Sequence, residues 1–220
     1  MPTVTVDSTI ARASVLLQDP TNIRWPKAEL LDWLNDGQRE VVLRKPNAST
    51  KNTAVNLVAG TKQSIPNDGV QLLDVVRNMS GDAIRIVDRE ILDAQLPGWH
   101  RMAQAPTVQH YCYSDLDLKN FYVYPPNNGA GQVELIYSAS PAPAALGGVI
   151  SVDDIYQSVL VDYIMYRAYS KDSEYAADPA RVASYYTSFV NSLGGKLQME
   201  VGADPNARNR ANPNLPGNQG

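Results

Sequence analysis

The strongest hydrophobic pattern in the chain runs over residues 153–171, DDIYQSVLVDYIMYRAYSK. Between Ile155 and Tyr169 only Gln157, Ser158, Asp162 and Arg167 interrupt a run of apolar and aromatic side chains, and no Gly or Pro breaks it. Ile155, Val159, Tyr163 and Tyr166 recur on one helical stripe, and Leu160, Ile164 and Ala168 on another. A helix that is apolar around most of its circumference must be covered on several sides. The stretch therefore predicts a central helix, with Ser151 and Asp154 as its capping signal. It is too short and too charged to span a membrane.

Narrower amphipathic patterns surround it. Residues 7–18 predict a short helix capped by Asp7, Ser8 or Thr9, with Ile10, Ala13, Leu16 and Leu17 inward and Asp19-Pro20 as its stop. Arg24-Trp25-Pro26 opens a second helix with Pro26 in its first turn. Leu30, Leu31, Leu34, Val41 and Val42 form its buried stripe, and Lys45-Pro46-Asn47 ends it. Asp178-Pro179 starts a fourth helix, with Val182, Tyr186, Phe189 and Leu193 inward and Gly194-Gly195 weakening its end. From about residue 51 the period shortens to two. Residues 54–58 and 62–65 predict a hairpin or a strand pair, and 70–78 with 83–87 a further hairpin. Residues 88–94 carry one or two helical turns, and 108–114, 121–124 and 132–138 predict further antiparallel strands, the last two joined through Pro125 to Gly129.

Neither helical pair alone buries a core, so the four helices are expected to pack together. The expected fold class is α+β: a discontinuous four-helix bundle with an inserted antiparallel β module and an extended C-terminal tail. The expected divisions are 1–50 and 150–200 for the helical domain, 51–149 for the β module and 201–220 for the tail. Residues 141–148 are a small-residue linker. The tail is rich in Asn, Pro and Gly and lacks the apolar content to fold alone.

Composition narrows the function. The 220 residues are 44% hydrophobic and 19% charged, with a net charge of -4 spread along the chain, which gives no electrostatic footprint for gripping nucleic acid. A single cysteine, Cys112, excludes an internal disulfide and a cysteine zinc site, and His100 and His110 leave little for imidazole ligation. No cofactor or metal is expected. The N-terminus shows no basic and apolar leader pattern, so the expected location is the cytoplasm or something assembled there.

Candidate chemistry is sparse. The phosphate-binding glycine motifs, His-Glu-x-x-His and Gly-x-Ser-x-Gly are absent. His110 and Cys112 share a strand face, which permits a Cys–His pair but equally two packed side chains. Asp115 with Asp117 and Asp153 with Asp154 are explained by a turn and a helix N-terminus, with calcium or acid–base chemistry as the other reading. Tyrosine outnumbers phenylalanine twelve to two. Tyr111 with Tyr113, and Tyr122 with Tyr124, fall on shared strand faces, as a protein interface, a sugar platform or plain sheet core.

Several stretches carry a family resemblance in their order. They are Arg24-Trp25-Pro26, Glu29-Leu30-Leu31-Asp32-Trp33-Leu34-Asn35, Gly37-Gln38-Arg39-Glu40 and Gly60-Thr61-Lys62-Gln63. Asp88-Arg89, Leu92-Asp93, Pro97-Gly98-Trp99, Phe121-Tyr122-Val123-Tyr124-Pro125-Pro126 and Tyr166-Arg167-Ala168-Tyr169-Ser170-Lys171-Asp172 follow. Over roughly residues 7 to 200 the chain resembles the head-to-tail adaptor proteins of tailed bacteriophages. The resemblance implies a structural virion protein, not an enzyme, at the head–tail junction. It implies a homo-oligomeric ring, commonly of twelve copies, between the portal protein and a downstream tail or nozzle protein, through which genomic DNA passes without sequence-specific binding. It also implies an extended C-terminal segment docking on the portal, here with Asn206, Arg208, Arg210, Asn212 and Leu215 as candidates. Trp33, Trp99, Tyr111, Tyr122 and Tyr124 are candidates for the ring or tail interface, the two tryptophans either as exposed aromatics or, equally, as part of their own domain core. A tail-associated module binding glycan or protein, or a cell-wall-degrading virion protein, are the alternatives.

Overall fold

Among the described residues the alternation of helical and strand periods resolves into five α-helices and two sheets. The computed structural model describes residues 2–176 and 179–203, with side chains described for 2–171 and 179–194. Two units form: one from the described residues up to Val41 together with those from Pro143 onward, the other from Val42 to Ala142.

In the helical unit, α1 spans Val6–Leu16 and buries Val6, Thr9, Ile10, Ala13 and Ser14 along one face. Its cap is Thr5, whose hydroxyl accepts from the Ser8 amide at 3.1 Å, one turn earlier than the sequence suggested. Helix α2 spans Lys27–Arg44. Pro26 stands just outside it, its carbonyl accepting the first amides, from Glu29 and Leu30. Helix α4 spans Gln157–Ala176 after a single 3₁₀ turn, Asp154–Tyr156. Asp153 caps that turn by accepting from the Ile155 amide at 3.0 Å, and Ile155 itself is exposed rather than on the buried stripe. Val159, Leu160, Val161, Tyr163, Ile164, Met165 and Ala168 are all buried, which is the all-round burial the pattern demanded. Helix α5 spans Pro179–Ala203, so it continues through Gly194-Gly195, and residues 201–203 are helical rather than extended.

Helix α4 meets each of the others. Arg12 of α1 donates to Gln157 at 2.8 Å. Glu29 and Lys171 pair at 2.7 Å, and Gly37 lies against Leu160 and Tyr163, so α2 and α4 run antiparallel. A Cβ on Gly37 would stand 3.0 Å from the Tyr163 ring; glycine sets how closely these two backbones approach.

The segment expected as a linker is instead fastened to the helices. Val6 donates to the Gly148 carbonyl and Ile150 to that of Val4, both at 3.0 Å. Asn35 on α2 exchanges bonds with Ala144, accepting from its amide at 2.8 Å and donating to its carbonyl at 3.1 Å. Gln38 accepts from the Ser151 amide. Asp154 accepts from the amides of Thr3 and Val4 and from the Thr3 hydroxyl, and these bonds hold its carboxyl below the usual carboxylate range.

The β unit holds seven strands: β1 (Thr50–Asn56), β2 (Gly60–Ser64), β3 (Gly69–Asn78), β4 (Arg85–Ile86), β5 (His110–Tyr113), β6 (Asn120–Asn127) and β7 (Gln132–Ala139). They form one sheet in the order β1-β7-β3 and another in the order β2-β6-β5-β4. The two predicted hairpins therefore do not form as sheet neighbours. β1 pairs with β7 and β2 with β6, while β4 leaves β3 after one bridge, Arg77 to Ala83, and joins β5 in parallel. All other pairs are antiparallel. The first four strands alternate between the two sheets, β4, β5 and β6 stay in the second and β7 returns to the first, so that one core is shared between the facing sheets. It contains Leu72 and Val75 of β3, Val133, Leu135 and Tyr137 of β7, and Tyr111, Phe121 and Val123 of β5 and β6. At about 1.5–3 kcal/mol for each large side chain, this core holds the sheets together. The second sheet is covered on its other face by α3 (Arg89–Gln95) and the turn Trp99–Arg101, where Leu92, Trp99 and Cys112 are buried together.

Candidate assembly surfaces

Helices α4 and α5 meet along an aromatic seam. Tyr163 stacks edge-on against Phe189 with ring centroids 5.2 Å apart, Tyr166 against Tyr186 at 5.1 Å, and Tyr169 lies parallel to Tyr185 at 5.4 Å. As the α4 numbers rise the α5 numbers fall, so the helices are antiparallel. Asp162 accepts from the Ser188 hydroxyl at 3.0 Å. Burial raises the Tyr163 and Tyr185 hydroxyls above their usual range. Beside the seam an open groove of about 530 Å³ is lined by Tyr166, Ser170, Pro179, Val182, Ala183 and Tyr186. Its walls are mostly carbon, with the Ser170 hydroxyl turned back onto the Tyr166 carbonyl at 2.7 Å.

The α1–α2 loop is organised by Asp19. Its buried carboxylate accepts from the amides of Ile23 at 3.0 Å and of Arg24 and Trp25 at 2.9 Å each. These bonds, that of Trp25 foremost, hold the carboxyl below its usual range. Gln18 and Asn22 take positive φ, each 56°, and the Asn22 amide donates to the Ser14 hydroxyl at 2.6 Å. The loop is thus tied at both ends, yet its Ile23 is 84% exposed; Val15 and Leu16 of α1 are exposed as well.

In the β unit Trp99 is fully buried and its indole N–H donates to Asp93 at 2.8 Å. Tyr122 packs edge-on to it at 6.3 Å, and His110 stacks on Tyr124 at 6.1 Å. Burial, with Asp93 and Asp88 nearby, pushes the Cys112 thiol up to about 11. A thiol held protonated is a poor nucleophile. A polar groove of about 410 Å³ lies between the start of α3 and the β5–β6 hairpin, walled by Asp88, Arg89, Glu90, Asp117 and Tyr122 with Cys112 among its lining. Asp117 is a turn residue there, accepting both bonds from Asn120. Among the described residues no group of three His, Cys, Asp or Glu is placed to hold a metal, and no helix is long and apolar enough to cross a membrane.

The sequence-predicted residues distribute unevenly. Trp33 and Trp99 are not exposed: Trp99 fills the space under the second sheet and Trp33, on α2, is 7% exposed. An indole six residues from an aspartate that can accept its N–H is better placed inside. Tyr111 is also buried, its hydroxyl donating to Asp74 at 2.9 Å, and burial raises it well above the usual tyrosine range. Tyr122 and Tyr124 are half-buried, brought together with Trp99 and Cys112 on one sheet face as the alternation predicted. Asn206, Arg208, Arg210, Asn212 and Leu215 lie outside the described residues. Sequence reasoning missed Ile23 and the groove beside Tyr166 and Tyr186, and it missed two buried asparagines. Asn78 pairs with both the N–H and the C=O of Val108. Asn127 makes four bonds, two from the amides of Gly129 and Gly131 in the turn that follows it and two to the carbonyls of Ala105 and Pro106. Their neighbours Gly81 and Gly131 were the only signal.

Fold and surfaces define an α+β protein of two units, one helical and one built from two facing sheets. The sequence carries the assignment further: the family model described as SU10 adaptor protein matches residues 4–214. The chain belongs to that family, a phage head–tail adaptor family, and is a structural adaptor of a bacteriophage. No curated protein matches it.

Proposed function

We propose that this chain is a ring-forming subunit of the phage head–tail junction, bound to the portal protein on one side and to the next tail component on the other, with genomic DNA passing through the ring. The observation that carries this reading is a family match that runs through both units, from residue 4 to residue 214. A match to one unit alone would fit a borrowed module; this one fits the whole architecture of an adaptor. The four long helices act as one bundle that carries the β unit, and residues 201–220 dock on the portal. A net charge of -4 suits a channel wall along which DNA slides without sticking. The ring is proposed as dodecameric, to match a twelve-fold portal, and as part of the virion after assembly in the host cytoplasm.

Electron microscopy of the purified chain with and without portal particles tests this. Rings capping the portal vertex support it. A chain that stays monomeric and unattached at micromolar concentration with portal particles present refutes it. Deleting residues 204–220 is expected to leave thermal unfolding unchanged and to weaken portal attachment, as read by co-sedimentation.

A further inference from the structure

We propose that Asn128 is a site of covalent self-modification, conversion to isoaspartate through the Gly129 amide, and that its neighbour Asn127 holds the reaction silent in the folded chain. The inference is independent of the ring reading above.

Asn128-Gly129 is the chain's one Asn-Gly step. Such a step is prone to this reaction because no side chain shields the glycine nitrogen. The Gly129 nitrogen attacks Cγ of Asn128. That N–C bond forms, the Cγ–Nδ2 bond breaks, and the side-chain nitrogen leaves as ammonia with the proton given up by the glycine amide. Water then opens the cyclic imide at one of its two carbonyls, giving isoaspartate or aspartate. No oxidant, metal or enzyme enters the balance.

The electrophile is ready. Asn128 is exposed to water, and its Oδ1 accepts from the Ala130 amide at 3.0 Å. A donor on that oxygen stabilises the negative charge that attack places there. The nucleophile is latched. Attack needs the Gly129 amide deprotonated and turned toward Asn128, yet its N–H donates to Oδ1 of Asn127 at 2.8 Å. Asn127 cannot follow it, being 0% exposed. Its oxygen also takes the Gly131 amide at 3.2 Å, and its nitrogen is held by the carbonyls of Ala105 and Pro106. The Asn128 amide donates to the Ala105 carbonyl as well, at 3.2 Å. Turning the Gly129 peptide therefore means opening the whole turn, and the reaction follows the population of that open state.

The consequence lies in where the turn sits. It joins β6 of the second sheet to β7 of the first. Isoaspartate routes the main chain through the side-chain carbon, which lengthens it by one methylene, and either product adds a negative charge. The lengthened turn no longer brings Gly129 and Gly131 together onto Asn127, so a passing opening leaves a permanent mark.

The test is peptide mapping of the full chain after incubation at mildly alkaline pH, with isoaspartate at Asn128 scored by mass spectrometry. Folded wild type is expected to modify at least about tenfold more slowly than the same chain in guanidinium. Asn127→Ala removes the acceptor and is expected to raise the folded rate by about that factor. Asn127→Asp keeps an acceptor for Gly129 at a comparable cost in stability and is expected to stay slow. Equal rates in folded and unfolded wild type overturn the proposal, as does a folded Asn127→Ala chain as slow as wild type. An Asp variant as fast as the Ala variant also overturns it, since protection then comes from the stability of the unit and not from this bond. Exchange of the Gly129 amide in wild type, followed by NMR, covers an Ala variant that does not fold: slow exchange is expected, and exchange at the rate of an open loop overturns the latch.

Discussion

Asn127 offers the sharpest test of how the β unit holds its shape. It is fully buried at the end of β6, and its side chain is saturated. Its oxygen accepts from the amides of Gly129 at 2.8 Å and Gly131 at 3.2 Å, and its nitrogen donates to the carbonyls of Ala105 at 3.2 Å and Pro106 at 3.1 Å. Gly131 is shaped around it: a Cβ there would collide with the Asn127 amide and the Pro106 carbonyl. At about 1 kcal/mol net per bond, plus the larger cost of leaving the buried Gly131 amide dry, Asn127→Ala is expected to destabilise the chain by about 3–5 kcal/mol.

Asn127→Asp separates the two halves of that network. It keeps the acceptor to Gly129 and Gly131 but turns the donor into a second oxygen facing two carbonyls. Burial and those carbonyls disfavour the charged form, so the folded pKa of the new carboxyl rises above its unfolded value of about 3.9. The sign follows: the penalty is greatest above the folded pKa and is relieved as pH falls through it toward the unfolded value. A rise of about three pH units corresponds to about 4 kcal/mol at pH 8, most of which returns by about pH 4. Thermal unfolding by circular dichroism at about pH 8 and pH 5, each referenced to wild type, measures it. The reasoning is refuted if the Asp variant shows the same deficit at both values, or if the Ala variant lies within about 1 kcal/mol of wild type.

Three further outcomes follow from the same structure. Phe189 is fully buried between Tyr163 and Tyr186, so Phe189→Ala is expected to cost about 3–5 kcal/mol, read as a lowered unfolding midpoint. The Asp19 carboxyl is held below its usual range, so its contribution is present above the unfolded pKa and lost as pH falls through the folded one; an acid titration should show Asp19→Asn less stable than wild type near neutrality and the gap narrowing at low pH. Cys112, buried with its thiol raised to about 11, should resist a thiol-specific reagent at pH 8 in the native chain and react once in urea.

What the sequence made legible was periodicity, and periodicity reports faces. The stripes of α4 beyond Ile155 and the face shared by Tyr122 and Tyr124 came through because each depends on spacing alone. Strand partners did not. Residues 54–58 and 62–65 alternate equally well whether they pair with each other or enter two facing sheets. The choice is made by β7 and β6, more than 50 residues downstream. The same limit governs the aromatic residues. Composition counts twelve tyrosines and three tryptophans but cannot say which are spent indoors. Trp99 is inside because Leu92, Cys112 and Tyr122 converge on it from three elements.

Exposure at Ile23 was the least legible feature, and for a physical reason. An isoleucine in a loop carries no pattern. Whether it folds back or stands out depends on the Asp19 carboxylate capturing three amides at once, a tertiary arrangement with no fixed spacing. Those bonds point the backbone amides inward and leave the side chain no interior to enter.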